Sequence, residues 1–174
     1  MLTISPTSDA EFITSLSRRI QDWLIQRNSL QQIVLSSVET NGYIVQNHAF
    51  VFTHSSLGSI GSVFLEPLPK HLVETWKLVH IDKQTLFLSK LMLEPSLIGS
   101  SSKPDTPSFG SQMIQCILNA NAGIPIVLDC WDGNTSLRRF YERHGFKLHG
   151  IFEETDQKSN ESWNIAVYVH ENRG

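Results

Sequence analysis

The chain predicts an α/β fold: a mixed, mostly antiparallel central sheet with helices on its faces. Three observations lead there. Residues 9–27 place Phe12, Ile13, Leu16, Ile20, Trp23 and Leu24 at helical spacing. Short β-branched or aromatic runs follow, separated by Asn-Gly, Gln-Asn and Ser-Ser-Leu-Gly turn signals, which favours antiparallel hairpins. In the second half apolar strands alternate with helical patterns, and two strands flanking one helix predict a right-handed βαβ crossover.

The elements follow in order. Ser8 or Asp9 is the expected N-cap of the first helix. The runs "QIVLSSV", "GYIVQ", "HAFVFTH" and "SIGSVFLEP" read as strands. Residues 69–78 read as a short helix with Pro69 at its first turn. "TLFLSKLMLEP", 85–95, is an apolar strand ending at Pro95, and "SSSKPDTPS" is a loop leading into a helix over 109–121. "IPIVLDCW", 124–131, is nearly continuous in apolar residues, as a strand covered on both faces requires. "NTSLRRFYERHG" is a helix with Asn134 at its N-cap, Leu137, Phe140 and Tyr141 on its apolar face, and Gly145 at C′. "FKLHGIF" and "SWNIAVYVHE" close the sheet around the polar turn "EETDQKSNE".

Of the 174 residues, 40% are hydrophobic and 18% charged, which predicts one folded domain over 1–174. A net charge of −3 argues against nucleic acid or an anionic membrane as partner. The N-terminus carries no basic region followed by an apolar run, and no apolar run reaches membrane-spanning length. The two cysteines, Cys116 and Cys130, lie in apolar periodic segments and suggest no disulfide framework, so a cytoplasmic protein is expected. No metal-ligand spacing and no nucleophile elbow occurs. His48, Phe50, Phe52 and His54 share a strand face, read as aromatic packing.

The run "PIVLDCWDGNTSLRRFYERHGF", 125–146, carries the most information. Leu128 on a buried strand, then Asn134, Phe140-Tyr141 and Gly145-Phe146, resembles the GNAT superfamily of acyl-CoA-dependent N-acetyltransferases. "LSKLMLEP", 88–95, resembles the strand before that family's phosphate loop, and "FGSQMIQCIL", 109–118, the start of the helix after it. The resemblance implies a GNAT-like sheet with a βαβ cofactor-binding core and acetyl-CoA as co-substrate. It places the pantetheine arm along the backbone of Leu91, Met92 and Leu93, with Asn134 bonding the arm or an ordered water. Tyr141 matches the tyrosine that protonates the leaving sulfur. From the residues alone, Tyr141 also reads as helix core, Asn134 as an N-cap and Met92 as packing.

The loop departs from the family. Ile98 stands where Arg or Gln is usual, the middle glycine has no equivalent, and extra residues separate Gly99 from Gly110. The expected pyrophosphate contacts are Lys103, Ser108, Phe109, Gly110, Ser111 and Gln112, built on amides at a helix N-terminus. Pro104 and Pro107 donate no N–H. Arg138, Arg139 and Arg143 form either a solvated helix face or a contact to the cofactor's 3′-phosphate. The strand glutamate that serves some members as base is replaced by Phe87. Glu66 is the base candidate, with His80, Asp82, Asp129 and a water chain as others, and Glu94 is expected to face solvent.

The resemblance therefore implies an acetyl transfer from acetyl-CoA to a primary amine by direct attack. The acceptor would be a small molecule or peptide, and the protein a monomer or homodimer. The rivals are a non-catalytic protein of this fold, acting as an acyl-CoA sensor or interaction module, and an enzyme with a longer acyl donor.

Overall fold

The computed structural model describes residues 1–29 and 33–173. The strands are β1 (Leu2–Pro6), β2 (Ala49–His54), β3 (Gly58–Pro67), β4 (Leu86–Leu93), β5 (Ile126–Trp131), β6 (Lys147–Thr155) and β7 (Ser162–His170). The helices are α1 (Ala10–Gln26), α2 (Ser37–Val45), α3 (Lys70–Thr75), α4 (Phe109–Ala120) and α5 (Thr135–Arg143), with a 3-10 turn at Pro95–Leu97. The strands form a seven-stranded mixed sheet in the order β1-β2-β3-β4-β5-β7-β6. It is mostly antiparallel, with β4 and β5 parallel, so the predicted fold class stands. The chain divides into two compact units, Met1–Leu65 with Lys90–Ala120, and Glu66–Ser89 with Asn121–Gly174.

In the first unit, the Asp9 carboxylate caps α1 by accepting from the Phe12 amide at 3.0 Å. The apolar stripe of α1 then buries Ile13, Leu16 and Ile20 against Leu35, Ala49, Phe64 and Met92. Two polar residues on that stripe hold the connection after the helix. Ser17 Oγ accepts from the Leu35 amide at 3.2 Å, and Gln21 Oε1 accepts from the Ile33 amide at 2.8 Å. Gly61 in β3 is required by crowding: a Cβ there would lie 2.5 Å from the Met92 carbonyl oxygen and 2.9 Å from Met113 Cε.

In the second unit, one sheet face packs Val127, Ile165 and Val167 around Trp76 and Leu78. The Asn134 side chain caps α5, accepting from the Leu137 amide at 3.1 Å. Gly145 follows the helix at φ 88°, and a Cβ there would meet His170 Nε2 at 2.9 Å. His170 Nδ1 accepts from the Asn172 amide at 2.8 Å, and Asn172 in turn donates from Nδ2 to the Asn121 carbonyl at 2.7 Å. This ties the C-terminal segment to the turn before β5. Burial holds His170 below the usual histidine pKa, against a smaller upward pull from the His144 backbone.

Two expectations fail. The segments 32–38 and 42–46, read as strands, contribute α2 over Ser37–Val45, and Gln32 lies outside the described residues. Ser36 and Glu39 form a capping box there: Ser36 Oγ accepts from the Glu39 amide at 3.1 Å and donates to Glu39 Oε1. Asn41-Gly42, read as a turn, is mid-helix. The second miss is β1, which pairs antiparallel with β2 from Leu2–His54 to Pro6–Phe50.

Gly61→Ala is expected to lower stability by about 1–3 kcal/mol through forced separation of β3 from Met92, measured by denaturant unfolding. The histidine effect has a definite sign. The unfolded chain binds a proton at His170 more readily than the folded one, so stability is full above about pH 6.5 and falls as the pH drops below it. In His170→Gln that part of the acid-side fall in melting temperature is expected to vanish.

Candidate functional site

The arrangement starts with the parallel pairing of β4 and β5, Leu86–Ile126 and Phe87–Val127. Beyond it, Lys90 takes a left-handed conformation, φ 53°, inside the strand. β5 pairs with β7 over its whole length, Ile126–His170 to Trp131–Ile165. Ser89 Oγ, one residue before the bend, is buried without a hydrogen-bond partner. Neither Ser89 nor Lys90 was singled out in the sequence; the only trace is that Ser-Lys breaks the apolar alternation of 86–93. Of the backbone contacts expected on β4, Met92 has its side chain buried in the α1 core, so the packing reading is correct for that side chain.

The N-terminus of α4 closes on itself. The Ser108 hydroxyl accepts from the Ser111 amide at 3.2 Å and donates to Ser111 Oγ at 3.1 Å. The Phe109 amide donates to the Ser100 carbonyl at 2.9 Å, and the Gln112 amide to the Ser108 carbonyl at 2.9 Å. Gln112 Nε2 donates to the Pro107 carbonyl at 2.9 Å. Of the amides at 109–112, Gly110 alone forms no bond among the described residues. Ser108, Phe109, Gly110, Ser111 and Gln112 are thus gathered at one helix end, but their donors are largely engaged within the loop. Lys103 stands apart in an exposed turn, where its backbone bonds Thr106. Glu94, expected to face solvent, instead holds Arg19 of α1 in a two-toothed ion pair, with Arg19 Nε at 3.1 Å.

On α5, Tyr141 is buried among the rings of Phe140, Phe146 and Tyr168. Burial raises its pKa well above the usual phenol value, and Cys130 in its ionised form and the Asp129 carboxylate add to that. The hydroxyl therefore stays protonated throughout the working pH range. Burial, helped by Asp129, also pushes Cys130 up to about 11, which makes it a poor nucleophile. Arg138 is not a solvated cation: its Nε donates to Tyr168 Oη at 2.9 Å and its NH1 to Asp132 Oδ1 at 2.6 Å. Tyr168 passes the chain on to Glu142 Oε1 at 2.7 Å. Both α5 residues that hold the Tyr168 hydroxyl lie one turn apart, which fixes the helix against β7. Arg139 and Arg143 are exposed. Asn134 is engaged as the N-cap through its oxygen.

Glu66 is half-buried at the penultimate position of β3. Asp82 caps its own turn, accepting from the Gln84 amide at 2.8 Å, and His80 is exposed at φ 64°. Among the described residues, no group of three metal-ligating side chains occurs, and no helix is long and apolar enough to cross a membrane.

No protein-family model matches the chain, and no curated protein matches it in sequence. Solved structures do match it in three dimensions. A GNAT-family acetyltransferase from Streptococcus agalactiae superposes with a TM-score of 0.74 at 10% identity, over 97% of this chain and 94% of that one. A GNAT-family acetyltransferase from Listeria monocytogenes gives 0.65 at 19% identity, over 97% and 93%. NAA60 from Arabidopsis thaliana, in complex with a bisubstrate analogue, gives 0.63 at 12% identity, over 98% and 97%. The chain has the GNAT fold over essentially its full length.

Ser108→Ala removes the α4 cap and is expected to destabilise the protein by about 1 kcal/mol in thermal or denaturant unfolding.

Proposed function

We propose that this protein is an acetyl-CoA-dependent N-acetyltransferase acting on a primary amine, with residues 1–174 as one acetyltransferase domain working in the cytoplasm. The observation that carries the proposal is the fold, a mixed sheet with β4 and β5 parallel that GNAT-family acetyltransferase structures match over 97% of this chain. The amides of a pantetheine arm carry donors and acceptors in strand-like spacing, so the arm is proposed to run along the backbone of Leu91, Met92 and Leu93. The α4 N-terminus fits its pyrophosphate less well as it stands, because Ser108 and the Ser100 carbonyl already engage the amides of Ser111 and Phe109.

In the reaction, the bound thioester supplies the acyl group and the leaving thiolate. The amine must first lose a proton, for which Glu66 is the proposed acceptor. The nitrogen lone pair then forms the N–C bond as the C–S bond breaks, the electron pair leaves on sulfur, and the second nitrogen proton passes to solvent, from which the acid is reprotonated. Amide groups of residues 91–93 are the proposed donors to the carbonyl oxygen, which gains charge during attack. Tyr141 is the proposed acid for the thiolate. Its raised pKa keeps the hydroxyl protonated and available as a donor, with proton delivery driven by the negative charge that develops on sulfur. Asn134 keeps its amide nitrogen for the pantetheine arm while its oxygen caps α5.

The self-capped α4 terminus favours a second reading, a protein of this fold that has no acyl transfer and serves as a binding module. Calorimetry with acetyl-CoA, followed by thiol release on a panel of amines, separates the two. Micromolar binding with turnover is expected; no heat at millimolar acetyl-CoA rules out the enzyme. Tyr141→Phe is expected to keep the affinity for acetyl-CoA and lose about 10- to 100-fold in kcat. Unchanged kcat removes Tyr141 from the mechanism.

A further inference from the structure

We propose that the outer edge of β6 is an interface through which two copies of this chain pair, strand against strand and antiparallel, about a twofold axis at Ile151. β6 is the terminal strand in the order of the sheet, with β7 beside it. A terminal strand carries a row of backbone N–H and C=O groups on its outer side, spaced to receive another strand. β6 is nine residues long, against the usual length of about five or six, so that row is a long one.

The side chains add an apolar contact. Leu148 is 45% exposed and Ile151 42%. The ladder sets them on one face: Leu148 pairs with Tyr168 and Ile151 with Ala166, and those partners alternate along β7 to the same side. In a regular strand the odd spacing of Leu148 and Ile151 would send them to opposite faces. The register shift between Leu148 and Gly150, with His149 as the extra residue, corrects the parity. The same shift brings Lys147 and Glu154 to one face, through their partners Val169 and Trp163. His149 is engaged within its own chain, where Nε2 donates to the Trp76 carbonyl at 2.7 Å.

These placements make the strand complementary to itself. Let a second copy run antiparallel, and let His149 and Gly150 fill one position, as they do against β7. With the axis at Ile151, that residue meets its counterpart, and each Leu148 lies diagonal to the other copy's Ile151. Each Lys147 then stands opposite the other copy's Glu154, so the basic end of one strand meets the acidic end of the other in both halves of the contact. Every opposed pair shares a face. A parallel pairing in register would set Lys147 on Lys147 and Glu154 on Glu154, which repels. Bulges and charges commonly guard an edge against chance pairing. Here both fit one partner in one register, so the edge favours a second copy over an arbitrary strand.

Sedimentation equilibrium of the full chain between about 1 and 500 µM tests the proposal. A reversible dimer with a micromolar dissociation constant is expected, because a single strand pair buries less than a standard interface. Ile151→Lys, Lys147→Glu and Glu154→Lys are each expected to weaken it about tenfold or more, with the circular dichroism of the folded chain unchanged. An equimolar mixture of the Lys147→Glu and Glu154→Lys chains is expected to associate more tightly than either alone, since both opposed pairs again carry opposite charges. A chain that stays monomeric over the whole range overturns the proposal. A dimer that Ile151→Lys leaves unchanged in a folded protein overturns it too, because the contact then lies elsewhere. A mixture no tighter than its two components overturns the antiparallel register on which the proposal stands. No acyl donor takes part, so the outcome is independent of the acetyltransferase reading.

Discussion

A backbone amide inside a protein must find a partner, and along β5 the antiparallel ladder to β7 supplies one over the whole strand. β7 pairs with every residue from Ile126 to Trp131, whereas β4 stays in register for Leu86 and Phe87. The left-handed Lys90 is strained for a residue with a Cβ, at a cost of the order of 1 kcal/mol or more. Under the proposed acetyltransferase reading this part of β4 takes the co-substrate's amides, and the remaining features of the molecule bear on how that reading would work.

The two helices with functional candidates end in opposite ways. α5 presents Asn134 as a conventional cap, and the helix is anchored by Arg138 and Glu142 on the Tyr168 hydroxyl. Such a charge-assisted chain is rigid, because freeing either partner leaves a charged group without compensation. Tyr141 is therefore carried on a fixed support and buried in rings that raise its pKa. At α4, in contrast, the anion-binding potential of a helix N-terminus is spent on Ser108 and Ser100. Serine is a modest, rotatable cap, so the closed arrangement opposes a phosphate by a hydrogen bond or two rather than by steric exclusion.

Much of this was legible in the residues. Helical spacing located α1, α4 and α5 to within a residue or two, and Asn134 and Gly145 marked the ends of α5, because capping is a local interaction that the sequence states directly. The Asn134, Phe140-Tyr141, Gly145-Phe146 pattern was enough to reach the fold. The failures were equally physical. β-branched residues in 33–38 and 43–45 outweighed the Ser36–Glu39 capping box, and propensity gave way to a helix whose Tyr43 stacks on Phe64 at 4.0 Å. β1 is five residues long and owes its existence to the β2 edge beside it.

The sequence by itself determined the elements, their caps and the class of fold, since those depend on neighbours a few positions away. Only the tertiary structure decided which polar groups were already engaged. Nothing in "SSSKPDTPS" says that Ser108 will cap its own helix, or that Glu94 will hold Arg19 from 75 residues away. Nor does any local signal say that Lys147 and Glu154 share one sheet face. That follows from strand register, and register is set by pairing between segments far apart in the chain.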